Sequence, residues 1–238
     1  MAEGITLARL ELRRAEVIRR DTRVTVLARE GRREIRLHLT NTGRLNDLIY
    51  PGSEILYVRR KHGGRTSGRV VGVWLKDSAA LIDTILHAKM FEKALEYGLI
   101  PWLEGYEIKK REVKIHGSRF DYLLSNGLDE IILEVKSAVY LSSDGAAMYP
   151  DTISERGVRH FEILNRLKQA GWNTSIVFIA AHPHALYFRP NFNVDLRLKT
   201  ILCASLELEI LIKSIKMHLE EDGSIVLDEA DLPILIPC

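Results

Sequence analysis

The hydrophobic period of this chain changes once, near Asp77, and that change limits the architectures open to it. Before Asp77 apolar residues alternate. "RVTVLAR" and "REIRLHL" do so cleanly, and "TLARLELRRAEVIRR" nearly so through Leu7, Leu10, Leu12 and Val17. A two-residue period places one face of a strand on a core. "EILYVRR" and "GRVVGVWL" follow, separated by the loop "KHGGRTSG", and Asp21-Thr22 and Glu30-Gly31 read as turns. About five short strands with Gly-rich turns suit a small barrel of the oligonucleotide-binding (OB) type. After Asp77 the spacing becomes helical. "SAALIDTILHAKMFEKALEYG" sets Leu81, Ile82, Ile85, Leu86, Met90 and Leu95 on one stripe, with Ser78 as the N-cap and Gly98 as the stop.

The rest of the chain mixes both periods. Strands are predicted near 106–115, 119–124 and 131–137, a long loop over 141–155 and a helix over 155–170. "TSIVFIAA", residues 174–181, is apolar enough for a central strand. A helix near 195–205, a strand near 207–213 and a terminal hairpin close the pattern. The expected fold is mixed α+β: a five-stranded OB-like barrel over residues 1–77 and an α/β domain over 78–238, divided near 76–80.

Charge is unevenly spread between these halves. Residues 1–80 hold 17 Lys and Arg against 9 Asp and Glu, and the remainder holds 17 against 23, so the overall +2 conceals opposite signs. Fifteen of the first 17 cations are Arg, a side chain that pairs with phosphate and stacks on bases. Both a solvated charged surface and a nucleic-acid interface satisfy this pattern. For an interface the candidates are Arg36, His38, Arg59, Arg60, Lys61 and Arg65, with Asn41 in "LTNTGRLNDLIYPGSE", whose Asn41-Thr42-Gly43 could present backbone N–H groups to an anion. The same segment also reads as plain turn chemistry.

No apolar run approaches the roughly 18 residues of a membrane span, and the N-terminus lacks the apolar stretch of a signal peptide. Cys203 and Cys238 have no metal-ligand spacing, so the expectation is a cytoplasmic protein without a structural disulfide.

The stretch "GSRFDYLLSNGLDEIILEVKS", residues 117–137, reads as a hairpin turning at Asn126-Gly127. Its apolar runs are interrupted by Asp121, Glu134 and Lys136. Glu134 and Lys136 are two apart, hence on one face. If the register sets Asp121 beside Glu134, two carboxylates meet, an arrangement that a divalent cation relieves. Mg²⁺ or Mn²⁺ is the expected ion, with Lys136 beside it to act on water or phosphate. An exposed ion pair is the alternative. The order of residues matches the PD-(D/E)xK nuclease motif. Downstream, Ser154 can cap a helix on which Arg156 and His160 share a face, with Asp151 and Glu155 at its start. These are either a cap with surface charges or a phosphate-contacting cluster. His182 and His184 leave the apolar strand as a weaker metal-ligand pair.

Five blocks in order carry a family resemblance: "HLTNTGRL" (38–45), "SRFDYLL" (118–124), "LEVKSAVY" (133–140), "YPDTISERGVRHFEIL" (149–164) and "FIAAHPHALYFRPN" (178–191). Together they resemble the sugar fermentation stimulation protein family. The resemblance implies an OB-type barrel joined to a restriction-endonuclease-like domain. It also implies non-specific DNA binding and a link to maltose metabolism. It places Asp121, Glu134 and Lys136 as the nuclease triad, and Asp151, Glu155 and Arg156 in a second signature block. Whether the chain catalyses cleavage or binds DNA as a non-catalytic regulator stays open at this point. The helix before the hairpin departs from the family pattern: Asp83 and Ala88 stand where members carry Asn, and Glu92 is the candidate accessory acid there.

Overall fold

Alternation over the first third of the chain produces β1 (Ile5–Arg9), β2 (Arg13–Thr22), β3 (Thr25–Glu30), β4 (Arg33–His38), β5 (Glu54–Arg59) and β6 (Gly68–Trp74). The computed structural model describes residues 4–60 and 64–238; the candidate Lys61 lies outside them. Strands β2 to β6 close into a five-stranded barrel in the order β4-β3-β2-β5-β6, sealed by parallel pairing of Leu37 with Gly68 and His38 with Arg69. Val26, Ala28, Leu37, Ile55 and Val70 fill it. Gly68 permits the closure, since a Cβ there would lie 2.4 Å from the Val58 carbonyl oxygen.

Three expectations need correction here. The first predicted strand is two strands, and β1 leaves the barrel to pair antiparallel with the end of the chain; Leu10 N–H donates to Gly223 O at 2.8 Å where the two separate. The turns fall at Arg23-Val24 and Gly31-Arg32, slightly later than expected, with Gly31 taking the left-handed conformation at φ +59°. Ser78 is not the helix cap. Ala79–Leu81 is β7, fully buried, and helix α1 (Thr84–Glu96) begins behind Asp83. Asp83 Oδ1 accepts from Ile85 N at 2.9 Å and Leu86 N at 3.4 Å, while Gly98, just beyond the helix, has φ +67°.

The remaining elements are β8 (Glu107–Ile115), β9 (Ser118–Ser125), β10 (Glu130–Ala138), β11 (Tyr140–Leu141), β12 (Ala146–Tyr149), α2 (Glu155–Gln169), β13 (Asn173–Ala180), β14 (Tyr187–Pro190), α3 (Arg197–Glu207), β15 (Leu211–Leu219) and β16 (Ser224–Glu229). The expected loop over 141–155 thus contains strands: β11, β12 and β14 form a small second sheet. The late strand lies at 211–219 rather than 207–213, because α3 runs to Glu207 and turns through Glu209 at φ +57°. Strand β7 links β6 to β15, so barrel and C-terminal strands belong to one 13-stranded sheet ending β15-β13-β10-β9-β8. The central β10, β13 and β15 are parallel, which requires cover on both faces. Helix α1 packs on β8 and β10, and α2 packs on β13 and on α3.

The expectation of no disulfide is also overturned. Cys203 on α3 and Cys238 are bonded, with Cα atoms 5.7 Å apart. The C-terminal tail reaches α3 because it pairs with β14: Phe188 N–H donates to Pro233 O at 2.8 Å and Leu235 N–H to Phe188 O at 2.9 Å. A separation of 35 residues left no local signal for this. No described helix is long and apolar enough to cross a membrane.

The barrel and α1 meet at Asp83, which is fully buried. Besides capping α1, its carboxylate accepts from Thr40 Oγ1 at 2.9 Å and pairs with Arg69 Nε at 2.5 Å. Asp83→Asn keeps a capping oxygen but strips Arg69 of its counter-charge. Urea unfolding should show a loss of about 2 kcal/mol, and Asp83→Ala a larger one, because the cap goes as well.

Candidate metal and nucleic-acid site

The hairpin turn sets the geometry of the site. Asn126 Oδ1 accepts from Leu128 N at 3.0 Å and Asp129 N at 2.7 Å, and Gly127 takes φ +88°. Register then runs from Glu130↔Ser125 to Leu133↔Tyr122 and stops. At the next position the Asp121 side chain stands in for the backbone: its Oδ2 accepts Val135 N–H at 2.8 Å. This holds Asp121 beside Glu134.

Glu134 is 2% exposed because β10 lies between β9 and β13 under α2. One oxygen, Oε1, receives the Lys136 ammonium and His160 Nδ1 at 2.5 Å. His160 Nε2 in turn accepts from Arg156 Nε at 3.4 Å. A donor chain from Arg156 through His160 thus fixes the carboxylate. The other oxygen, Oε2, is buried with no partner.

Charges follow from this packing. Burial pushes the Asp121 carboxyl up to about 6, and the neighbouring Glu134 adds to the effect. Burial acts on Glu134 in the same direction, but Lys136 and His160 outweigh it and hold its carboxyl below the usual range. Burial opposes the Lys136 charge, and Glu134 overcomes that to keep the ammonium above its ordinary value. A buried bare oxygen next to a carboxylate that resists ionising fits a divalent cation with oxygen ligands. Among the described residues no group of three or more His, Cys, Asp or Glu side chains is placed to hold a metal ion by itself, so water or phosphate would complete the shell of such an ion.

Asp121 and Lys136 border a cleft of about 400 Å³ between the two halves of the chain, while Glu134 is buried next to them and is not part of its lining. Thr40, Asn41 and Thr42 line it from the barrel, Thr84 and His87 from α1, and Asp121, Lys136, Ser137 and Arg156 from the other side. Asn41 Oδ1 accepts from Gly43 N at 2.9 Å, shaping the loop as an Asx turn. Ser137 Oγ and His87 Nδ1 are buried and unpartnered. His87 Nε2–H donates to Leu81 O at 2.7 Å, and burial holds the imidazole down at about 4. His87 and Ser137 were not among the residues expected from sequence. Ser137 carried a weak signal as the next residue after the motif, while His87 sits in an unexceptional helical stripe.

The other expected residues separate. Arg156 is exposed and lines the cleft; Ser154 caps α2 as expected, accepting Gly157 N–H at 3.0 Å. Asp151 Oδ2 instead anchors the barrel loop, accepting Leu45 N–H at 3.2 Å. Glu155 pairs with both terminal nitrogens of Arg197 at 2.9 and 2.8 Å and is not at the carboxylate pair. Glu92 accepts from Arg111 and Tyr122 and borders a different cavity. His182 Nδ1 accepts His184 N–H at 3.2 Å while His184 faces Asp77, so neither ring reaches the cleft. On the barrel, Arg36 pairs with Asp21 and the His38 ring bonds Val24 O. Arg59, Arg60 and Arg65 are exposed.

Residues 18–82 match a family model described as the SfsA N-terminal OB domain, and residues 85–223 match the sugar fermentation stimulation protein RE domain. The chain belongs to the sugar fermentation stimulation protein (SfsA) family. A sugar fermentation stimulation protein homolog of Pyrococcus furiosus is 41% identical over 209 residues, covering 88% of this chain and 90% of its own. One from Chloroflexus aurantiacus is 38% identical over 177 residues, covering 74% and 68%. The solved structure of Pyrococcus furiosus SfsA in complex with Ca²⁺ superposes with a TM-score of 0.93 at 37% identity, over 98% of this chain and all of that one. The SfsA assignment accounts for both halves of the fold.

Two outcomes follow for this SfsA-family site. Asp121→Asn removes a carboxylate whose charge the metal-free protein disfavours. It should stabilise that protein at pH 8 by up to about 3 kcal/mol in urea unfolding. The gain should vanish below about pH 4, where the parent side chain is already neutral. His87 acts with the opposite charge sign. Its folded value near 4 lies below the unfolded 6.5, so its contribution is complete above pH 6.5. It is lost as pH falls toward 4, by about 3 kcal/mol in all. His87→Gln should flatten that limb; an equally steep limb in the variant would assign it elsewhere.

Proposed function

We propose that this chain is a divalent-metal-dependent nuclease acting on DNA. The observation that carries the reading is Asp121, Glu134 and Lys136 brought together at one cleft with Glu134 Oε2 bare. A relative 37% identical was solved in complex with Ca²⁺, a hard cation of the same charge as Mg²⁺ or Mn²⁺. Asp121 and Glu134 are the residues that would hold the ion. Bound there, Mg²⁺ or Mn²⁺ would supply Lewis-acid polarisation of a phosphoryl oxygen.

The protein's own groups divide the remaining work. Lys136 sets a cation beside the carboxylates, where it offsets charge that builds on phosphate during attack by water. His160 and Arg156 orient Glu134, and the exposed Arg156 guanidinium, in the first turn of α2, favours an anion in the cleft. The OB barrel supplies the surface along which a strand lies.

A second reading is a non-catalytic DNA-binding regulator connected with the sugar metabolism in the family's name. One observation favours it: Lys136 and His160 already occupy Glu134 Oε1, and the Lys136 ammonium offsets the carboxylate charge without a metal. A cleavage assay with Mg²⁺ or Mn²⁺ separates the two. Lys136→Ala should lose roughly a hundredfold or more in cleavage rate while keeping DNA affinity. Salt-sensitive binding with no turnover by the parent in either metal would select the regulator.

A further inference from the structure

The arginines of the first third of the chain differ in their partners. Arg9, Arg13, Arg14, Arg19, Arg36 and Arg69 each meet a carboxylate. Arg20 and Arg23 donate to carbonyl oxygens instead, and the exposed Arg44 side chain meets no carboxylate among the described residues. Arg20 Nε donates to Thr22 O at 3.3 Å, its Nη2 to Arg23 O at 2.8 Å, and its Nη1 to Arg44 O. Arg23 Nη2 approaches Thr42 O at 3.4 Å. Carbonyls hold a guanidinium in place without cancelling its charge. These three residues line one cavity of about 470 Å³, together with Thr22, Thr42, Thr152, Asn46 and the 60%-exposed Ile153.

This cavity shares walls with the cleft at Asp121 through a third pocket between them. Thr42, Gly43 and Thr152 border both it and a narrow intermediate pocket, and that pocket shares Asn41, Thr42, Ser137 and Ser154 with the catalytic cleft. Gly43 keeps the passage intact: a Cβ there would lie 2.2 Å from Asp151 Oδ2. Asp151 is the carboxylate lining the intermediate pocket. It is held by Leu45 N–H and lies near Arg20, so the uncancelled charge of the far cavity rests on Arg23 and Arg44.

We infer that the Arg20–Arg23–Arg44 cavity is a phosphate-binding subsite for the DNA strand that enters the cleft. The strand would pass over Thr42, with phosphates toward the guanidiniums and hydroxyls and a sugar or base against Ile153. Arg20 positions the other two by holding their carbonyls, and Arg23 and Arg44 contact the backbone. The inference rests on the DNA reading above, but it puts the binding track on residues different from Arg36, His38, Arg59, Arg60 and Arg65.

The test is fluorescence anisotropy of a labelled oligodeoxynucleotide, single-stranded and duplex, without divalent cation and across a salt series. Arg23→Gln/Arg44→Gln should lower the slope of log affinity against log salt by roughly 1.4 on the single strand, two phosphate contacts' worth. Arg32→Gln/Arg33→Gln, at the opposite end of the β3–β4 hairpin, should leave the slope unchanged. Circular dichroism melts confirm that both variants fold. Parent-like slopes for Arg23→Gln/Arg44→Gln, or equal losses in both double variants, would overturn the subsite and leave the metal reading standing. A parent that binds no DNA overturns both. A larger effect on duplex than on single strand supports the subsite and identifies the form of DNA it takes.

Discussion

Burial of the Glu134 carboxylate between β9 and β13 is the constraint on which the site depends. An ionised group at 2% exposure must be paired or coordinated. Here half of that need is met by Lys136 two residues on and by His160 reaching down from α2. The other half, Oε2, is left open. Lys136 and His160 therefore have a structural reason to be where they are, and the same reason places a cation and an orienting imidazole at the cleft. The hairpin adds Asp121 by ending its backbone register one position early, so that a side chain takes the Val135 N–H.

The second dependency is the joint between barrel and α/β half. Three separate devices hold it. Strand β7 continues the sheet from β6 to β15, and β1 crosses to pair with β16. Asp83 is shared by Thr40, Arg69 and the first turn of α1. Asp151 binds the loop at Leu45, with Gly43 small enough to lie against it. The cleft is formed by this joint rather than by either half, since Asn41 and Thr42 face Asp121 and Lys136 across it. The OB barrel and the restriction-endonuclease-like sheet thus line adjoining pockets from both sides of the joint.

The barrel, the central hairpin and the helix carrying Arg156 and His160 were legible in sequence because each is signalled locally. Alternation over "REIRLHL", Asn-Gly at a turn, and Ser154 before a helical stripe all concern neighbours within a few residues. The misreadings have a common cause. Ser78 looked like a cap until Ala79–Leu81 was claimed as a strand by β6 and β15. The segment 141–155 looked like a loop because β12 finds its partner β14 about forty residues later, a pairing no local pattern announces. Glu155 opens α2 as expected, but its pairing with Arg197 on α3 likewise had no local signal.

By itself the sequence determined the kind of each main element and the presence of three charged side chains on one hairpin. Period and turn chemistry are properties of adjacent residues and survive any packing. Only the tertiary structure decided which arginines keep an uncancelled charge, which loop closes the cleft, and that Cys203 meets Cys238. Those outcomes depend on which distant groups arrive as partners. Arg36 and Arg23 are indistinguishable as letters, and a carboxylate beside one and a carbonyl beside the other make them different.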